Sequence, residues 1–343
     1  MSTYSTAVVL PQFGDASVLE LRRLPRRIPQ RGEIEVMVRA TSVNPIDVRR
    51  RAGYGKKLFS LLGAARLPLV LGNDFAGIVT TVGVGVSRFR EGDAVFGAMP
   101  PSSAGTHASH VVVRAEHAVP QPGDMRTIPV NALATLPYNF TTVLRALADA
   151  GLREENVRGR DVLIHGASGR LGLLAVRTLA SWGAYVTAIS SAAGAAACRS
   201  AGAVCAIDRH EQPLREITRK FAATLNFANW DDESALLRLL TNDAIGHATT
   251  VHPMLANLDK HGLLHGGINI MREKRSMRAR APKGARYAWT VYAPDQQALA
   301  YLSERAAIYT ASATCTGFLL TNAALAHRHV EQRRPGCVVL LPT

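Results

Sequence analysis

The chain has 343 residues, more than one hydrophobic core usually serves, so two domains are expected. Its composition, 47% hydrophobic and 19% charged residues, is ordinary for a globular protein. No run of eighteen apolar residues occurs, so no transmembrane helix is predicted, and the first residues do not predict a signal peptide. The formal charge of +14 suits an anionic cofactor or substrate, nucleic acid or a basic solvated surface. Because no recognition motif accompanies the charge, nucleic acid is not predicted as a principal partner.

The four cysteines are scattered and include no C-x-x-C pair; they are Cys198, Cys205, Cys315 and Cys337. This spacing argues against a disulfide framework and against a structural zinc site. Reduced thiols therefore predict a cytoplasmic protein.

The first part of the chain is predicted to be rich in β-strands. Short apolar runs at residues 7–10, 34–38 and 77–82 alternate with Gly and Pro. A Pro-Gln-Pro-Gly stretch ending at Gly123 then marks a boundary. The predicted domains are 1–124, completed by 283–343, and 125–282.

The second part alternates strands with helices. Strands are predicted at residues 162–164, 184–190, 204–207, 224–227 and 262–268, with helical segments between them. This alternation predicts an α/β domain with a doubly wound parallel sheet. A helix over 296–307 and a strand over 336–341 follow, and that last strand is expected to return to the first domain.

The strand at 162–164 leads into glycines at three-residue spacing, Gly166, Gly169 and Gly172, and then into a helical apolar pattern. A strand that turns on glycines into a helix aims backbone N–H groups and a positive dipole end at one point, which is typical of a phosphate site. The predicted cofactor-binding residues of this turn are Gly166, Ser168, Gly169, Arg170, Leu171 and Gly172. The alternative is a nucleotide-free turn with chance glycines, because the G-x-x-G-x-x-G pattern alone is weakly specific.

The second strand of the unit indicates which dinucleotide is bound. NAD sites have an acidic residue near the end of this strand, yet no Asp or Glu occurs from Val162 to Ile207. Ser190 and Ser191 occupy that place, with Arg199 and Arg209 nearby. Hydroxyls and guanidinium groups bind a 2′-phosphate that a carboxylate would repel. The predicted cofactor is therefore NADPH.

Several ordered motifs resemble one family. Leu-Gly-Asn-Asp-Phe-Ala-Gly at 71–77, with Val79, Gly83, Phe89 and the Gly-Asp-Ala-Val of 92–95, is similar to the pattern of the zinc-free quinone oxidoreductase branch of the medium-chain dehydrogenase/reductase superfamily. Motifs at 43–47, 53–55, 105–108, 136–142 and 166–172 follow in the family's order. Residues 52–55 and 99–101 are most similar to the reticulon-4-interacting mitochondrial oxidoreductases and their bacterial relatives. The resemblance covers the whole chain and implies a GroES-like β-rich domain beside a Rossmann domain.

The resemblance also implies a function. NADPH would present its nicotinamide between the domains, and hydride would pass to a quinone or to the activated C=C of an enone-type substrate. Asn44 and Tyr54 are the implied donors to the oxygen that gains charge, and Thr142 is implied to lie beside the nicotinamide ribose. For Tyr54 the alternative is a packing aromatic in a mobile loop. The expected partners are a small-molecule substrate and at most a second copy of the chain, as a monomer or homodimer.

No metal is predicted. Related alcohol dehydrogenases would have Cys near Asn44 and a His-Glu pair near Asn73 and Asp74, and this chain has neither thiol nor imidazole there. His107, His110 and the histidines between 247 and 265 are interpreted as ordinary strand or loop residues.

Departures from the family concentrate at the nicotinamide end. Asn226-Phe-Ala-Asn-Trp230 stands where the family usually has Asp-x-x-Gly-Gly. Four single positions also differ: Arg209 replaces a tyrosine, Gly194 and Cys337 each replace a lysine, and Ser109 replaces a glutamate. Asn226 and Gly267 complete the predicted cofactor set. These changes fit a specialised substrate, or a protein on the same scaffold that binds a ligand or catalyses a non-redox step. The positive charge keeps open a third alternative, a basic RNA-binding protein on this scaffold.

Overall fold

The computed structural model describes residues 3–123, 128–311 and 314–342. Contacts divide the chain into two units, one formed by Met1–Thr141 with Pro294–Thr343 and the other by Thr142–Ala293. The boundary predicted at 282/283 lies earlier in the chain than the observed one at 293/294. The other predicted boundary, 124/125, lies outside the described residues.

Strands and helices are numbered in chain order. The strands are β1 Tyr4–Leu10, β2 Glu20–Pro25, β3 Glu33–Ser42, β4 Leu69–Val70, β5 Asp74–Val82, β6 Ala94–Ala98, β7 His110–Arg114, β8 Ala118–Pro120, β9 Asp161–His165, β10 Tyr185–Ser190, β11 Cys205–Asp208, β12 Ala223–Asn226, β13 Gly246–Thr249, β14 Arg286–Trp289, β15 Cys315–Leu319 and β16 Cys337–Leu341. The helices are α1 Pro45–Arg51, α2 Lys56–Leu61, α3 Val130–Leu133, α4 Pro137–Asp149, α5 Glu154–Val157, α6 Arg170–Ser181, α7 Ala192–Ser200, α8 Glu233–Arg238, α9 Met254–Arg278, α10 Gln296–Thr310 and α11 Ala323–Glu331. None of the helices in the described ranges has the length and apolar character needed to cross a membrane.

The first unit is built mainly on antiparallel strands, with β15 and β16 paired in parallel. In its described part, β2-β1-β4 form one sheet, and β15-β16-β3-β5-β6-β8 form a second, with β7 also paired to β3. Alternate residues of β3, such as Ile34, Val36 and Val38, are buried in a core with Phe75 and Val95, as the period of two along a half-buried strand requires. The strands predicted at 7–10, 34–38 and 77–82 are confirmed as parts of β1, β3 and β5. The predicted return of the last strand is also confirmed, because β16 pairs with β3.

The second unit has one parallel sheet in the order β11-β10-β9-β12-β13-β14. This is the 3-2-1-4-5-6 order of dinucleotide-binding sheets. The predicted parallel α/β sheet is confirmed, and β9, β10, β11 and β12 contain or overlap the four strands predicted between 162 and 227. In such a sheet the carboxyl ends of the strands meet at one edge, where ligands bind.

The strand predicted at 262–268 is wrong. These residues lie in α9, whose backbone departs from helical geometry at Gly262 (φ 78°, ψ 173°). A short apolar run does not distinguish a strand from part of a helix, and here a kink at Gly262 lets a second helical segment pack on the first. The last strands of the sheet are instead β13 and β14. The sequence of β13, Gly-His-Ala-Thr, is fully buried but carries no large apolar residue that would have predicted a strand.

Candidate functional site

The turn that the sequence predicts to bind phosphate, residues 166–172, lies where β9 ends and α6 begins and is called the phosphate turn below. Gly166 has a positive φ of 78°, and a Cβ on it would lie 3.0 Å from the backbone of Phe227 and Ala228. Gly169 caps α6, and a Cβ on Gly172 would lie only 2.3 Å from Gly166 O. Both Gly166 and Gly172 are therefore required by close backbone approach. The sequence predicted this turn, and the structure brings its six residues together in one loop and the first turn of α6.

The turn has the features that hold an anion. Backbone N–H groups in the first turn of a helix have no partner within the helix and carry the positive end of the helix dipole. Because Gly172 carries no side chain, α6 can pack directly against the backbone of Gly166 and Ala167, which is the role of the third glycine in a dinucleotide-binding turn. The residues present thus fit the phosphates of a dinucleotide.

Ser190, Ser191 and Arg209 lie at the same edge of the sheet. Ser190 ends β10, the neighbour of β9, and Arg209 N donates to Ser190 O at 2.9 Å. The Arg209 side chain is exposed. However, Asp208 stands in register with Ser190 on β11, and its Oδ1 accepts from His210 N at 2.9 Å. The carboxylate-free stretch in the sequence ended at Ile207, so this acidic group was missed.

Gly194 makes room for the phosphate turn. A Cβ on Gly194 would lie 2.4 Å from the Cβ of Ser168 and 2.6 Å from its Oγ. A longer side chain at position 194 would displace Ser168. The replacement of the family's lysine by glycine therefore has a packing consequence that the sequence alone did not indicate.

Asn226, at the end of β12, uses its side chain within the protein. Its Nδ2 donates to Asn229 O at 2.7 Å and to Glu233 Oε2 at 2.8 Å, and its Oδ1 accepts from Ala228 N at 3.2 Å. It is fully buried. Its role as a cofactor contact stays a prediction, but both of its N–H groups already have acceptors.

Glu233 is the centre of a buried polar cluster behind Asn226. Its Oε1 accepts from His247 Nε2 and from Tyr287 Oη, each at 3.0 Å, and Trp289 Nε1 donates to Tyr287 Oη at 2.8 Å. Burial alone would raise the pKa of Glu233, but the neighbouring His247 and the three hydrogen bonds hold it below its ordinary value. The sequence gave no signal for this cluster, because its members are far apart in the chain.

A second polar link joins the ends of β9 and α8. His165 Nε2 donates to Asp232 Oδ2 at 2.8 Å, and Asn229 Nδ2 donates to the same oxygen at 2.7 Å. Burial lowers the pKa of His165, although Asp232 opposes this shift. A neutral imidazole thus lies directly before the phosphate turn.

In the first unit, Asn44 belongs to a buried network. Its Nδ2 donates to Asp74 Oδ2 at 2.7 Å and to Ser42 Oγ at 2.9 Å, and its Oδ1 accepts from Asn139 Nδ2 at 2.9 Å. Asp74 also accepts from Tyr138 N, and burial raises the pKa of Asp74 to about 6. Positions 44 and 74, where related alcohol dehydrogenases would supply zinc ligands, are therefore joined by an amide–carboxylate hydrogen bond.

Tyr54 and Thr142 lie in different surroundings. Tyr54 is partly buried, follows α1 and has the Arg49 guanidinium 4.1 Å from its ring centroid. It lines a pocket of about 10 Å³ with Arg50 and Phe59, roughly the room of one water molecule. Thr142 is buried in α4. Their catalytic and cofactor roles stay predictions.

Gly267 lies in α9 rather than at a strand end, and a Cβ on it would meet nothing within 4 Å. The strand on which its place was predicted is absent there. Among residues 3–123, 128–311 and 314–342, no three His, Cys, Asp or Glu side chains are grouped so that they could hold a metal ion.

Comparisons with known proteins identify the family. Residues 30–123 match the alcohol dehydrogenase GroES-like domain. The mitochondrial NAD(P)H oxidoreductase RTN4IP1 of Bos taurus is 32% identical over 281 residues, 77% of this chain and 70% of the relative. The quinone oxidoreductase of Homo sapiens is 32% identical over 179 residues, 52% of this chain and 50% of the relative. The structure of the quinone oxidoreductase from Coxiella burnetii superposes with a TM-score of 0.80 at 24% identity, covering 98% of this chain and 99% of that one.

These comparisons correct one expectation and confirm another. The predicted cytoplasmic location is wrong, because the similar oxidoreductases are mitochondrial proteins. Scattered reduced cysteines do not distinguish the cytosol from another compartment that keeps thiols reduced. The predicted pairing of a GroES-like domain with a Rossmann domain is confirmed by the matched domain and by the strand order of the parallel sheet. The chain belongs to the zinc-free quinone oxidoreductase branch of the medium-chain dehydrogenase/reductase superfamily.

Proposed function

We propose that this protein is a zinc-independent, NADPH-dependent oxidoreductase that reduces a quinone or the activated C=C of an enone. The observation that carries the proposal is the backbone cradle at residues 166–172, where any side chain on Gly172 would meet Gly166 O. Relatives named NAD(P)H oxidoreductase and quinone oxidoreductase support the reaction class.

The cofactor's phosphates would be held by two sets of residues. The backbone of Gly166 to Gly172 would bind the pyrophosphate, and Ser190, Ser191 and Arg209 would bind the 2′-phosphate. Asp208 opposes the second assignment because its carboxylate would repel a phosphate. One of its oxygens is already held by His210 N, and the adjacent Arg209 supplies an exposed positive charge. When bound, NADPH would supply a hydride to an electrophilic carbon of the substrate.

The substrate oxygen that gains negative charge needs a donor. Both N–H groups of Asn44 already donate to Asp74 and Ser42, so Asn44 is better suited to fix the buried network than to serve the substrate. Tyr54 is therefore the preferred donor, and Arg49 packed on its ring holds its orientation. Tyr54→Phe should lower kcat more than it raises KM, since the lost interaction acts mainly in the transition state.

A direct experiment tests the proposal. NADPH is titrated by its fluorescence, and its oxidation is then followed by absorbance with a panel of quinones and enones, before and after dialysis against EDTA. We expect binding, turnover with at least one class of acceptor and no loss of rate after chelation. Failure to bind either NADPH or NADP⁺ at millimolar concentration would sink the proposal, and loss of rate restored by zinc would refute zinc independence.

The Asn226 network favours a second candidate function. With the family's two glycines replaced by Asn229 and Trp230 and the Asn226 amide engaged inside the protein, the nicotinamide end has less room for close backbone approach. This would suit a protein that binds its ligand without redox turnover or catalyses a non-redox step. Tight NADPH binding with no oxidation by any acceptor in the panel would favour it.

A further inference from the structure

The second segment of α9, residues 263–278, has an inner face attached to its own unit. Ile270 and Met277 pack against the core cluster that contains Tyr287 and Trp289. The Glu273 carboxylate accepts from Trp230 Nε1 at 3.0 Å and from Asn257 Nδ2 at 3.3 Å. The side of the segment that faces away from this core is therefore fixed by packing.

The outer face of the segment joins an apolar stripe to a group of cations. Positions 264, 268, 271, 275 and 278 are spaced four, three, four and three apart, which puts them on one side of a helix. Leu264 and Met271 are 74% and 73% exposed, and Ile268 is exposed between them. The stripe continues as Arg275 and Arg278, both exposed.

The charge around this stripe is almost entirely positive. From Lys260 to Arg286 the sequence has eight Lys or Arg residues and one acidic residue. That acidic residue is Glu273, whose carboxylate is turned inward to Trp230 and Asn257. Arg272 and Lys274 are exposed beside the stripe, so the outer face presents apolar side chains and cations without a compensating carboxylate from this stretch.

Three occupants differ in how well they match this surface. A second copy related by a two-fold axis would set the same arginines against each other, and three apolar side chains fall well short of the roughly 800 Å² per partner in a stable interface. A nucleic acid backbone would pair with the arginines but offer no apolar surface to Leu264 and Met271. An anionic bilayer offers both: headgroup charge for the cations and an acyl boundary for the apolar stripe.

We propose that the outer face of residues 263–278 docks on the surface of an anionic lipid membrane, with Leu264, Ile268 and Met271 inserted at the headgroup boundary and Arg275 and Arg278 among the lipid phosphates. The helix lies on the membrane and does not cross it. This role is separate from the proposed reduction, because vesicle binding requires neither NADPH nor turnover.

The test is flotation of the full chain with vesicles of phosphatidylcholine alone or of phosphatidylcholine mixed with phosphatidylglycerol. We expect binding to the mixed vesicles, little binding to phosphatidylcholine alone and weaker binding at high salt, since counterions screen the cations. The variants Leu264→Glu/Met271→Glu and Arg275→Glu/Arg278→Glu should each bind mixed vesicles at least about tenfold more weakly.

The matched control is Arg90→Glu/Arg215→Glu, which makes the same change in net charge at side chains that are 90% and 82% exposed elsewhere. It should keep most of the vesicle binding. An equal loss in this control would overturn the proposal in favour of general charge attraction, as would absence of binding to mixed vesicles. If the protein is a dimer that dissociates in Leu264→Glu/Met271→Glu, the stripe belongs to an interface with a second copy and the proposal is overturned. If the protein binds RNA, and this binding is lost in Arg275→Glu/Arg278→Glu but kept in Leu264→Glu/Met271→Glu, the surface belongs to nucleic acid and the proposal is likewise overturned.

Discussion

The ends of β9 and β12 lie side by side in the parallel sheet, yet they are built in opposite ways. His165 and Asn226, their last residues, are partners in register. After β9 the chain turns on glycines, and Gly172 lets the first turn of α6 pack against the backbone of Gly166 and Ala167. After β12 the Asn226 side chain and the loop to Trp230 bind each other and Glu233.

This difference separates two sides of the sheet edge. The open side, residues 166–172 after β9, has the backbone features that suit a ligand, and the closed side, residues 226–233 at the end of β12 with the partners of Glu233, is satisfied by its own side chains. The residues after β9 and those after β12 are in contact. A Cβ on Gly166 would meet the backbone of Phe227 and Ala228, and His165 is hydrogen-bonded to Asp232. Changes after β12 can therefore alter the edge of the sheet that adjoins the glycine turn.

The largest effect is expected from Glu233→Ala, which removes the centre of the closed side. Asn226, His247 and Tyr287 would lose their acceptor inside the protein. Breaking a buried charged network in this way costs about 3–5 kcal/mol of unfolding free energy. Urea unfolding measures the loss, with Glu216→Ala, at an exposed side chain, as the control. A loss no greater than that of the control would mean that the cluster does not hold the β12 side together.

Gly172→Ala should damage the open side. Its Cβ would lie 2.3 Å from Gly166 O and 2.6 Å from Ala167, whereas a Cβ on Gly169 would meet nothing closer than 3.2 Å. Overpacking of this kind costs about 1–3 kcal/mol, and we expect NADPH binding to be lost with the displaced turn. Gly169→Ala, in the same turn but with a nearest contact of 3.2 Å, is the graded comparison and should lower the affinity less. Equal NADPH affinity in Gly172→Ala and the unchanged protein would show that the turn does not bind the pyrophosphate.

The open side could be predicted from sequence because its determinants are local. Glycine spacing, the apolar strand before it and the helical period after it all lie between residues 162 and 182, and β9 and α6 follow them. The neighbouring strands β10, β11 and β12 were predicted for the same reason.

The closed side could not be predicted, because its contacts join distant residues. Glu233 meets Tyr287 across 54 positions and His247 across 14, and nothing local marks either as a partner of Glu233. The error at 262–268 has a similar origin, since only packing on Asn257 and Leu258 decides that Gly266 belongs to a helix. Asp208 was missed because pairing of β10 with β11, rather than sequence position, brings it beside Ser190.

Ser191→Asp tests whether the open side extends to a 2′-phosphate. Ser191 precedes α7, and an added carboxylate there should weaken NADPH relative to NADH by at least roughly tenfold, or ~1.4 kcal/mol. Fluorescence titration with both cofactors gives the ratio. Ser200→Asp adds the same charge at the other end of α7 and should leave the ratio unchanged. Asp208→Asn should raise the affinity for NADPH relative to NADH. An equal loss of affinity for both cofactors in Ser191→Asp would refute the assignment of the 2′-phosphate site.

The smallest effect is the pH dependence of the closed side. The pKa of Glu233 is below its ordinary value in the folded protein, so the unfolded chain binds its proton more readily. The stability that Glu233 contributes is therefore fully present above its unfolded pKa, near 4.5, and is lost as pH falls through the lower folded value. Urea unfolding from neutral pH to about pH 4 should show a decline that is shallower in Glu233→Gln, which cannot ionise. Parallel pH profiles for the two proteins would mean that folding does not lower the pKa of Glu233, and a decline that is steeper in Glu233→Gln would mean that burial outweighs His247 and the hydrogen bonds.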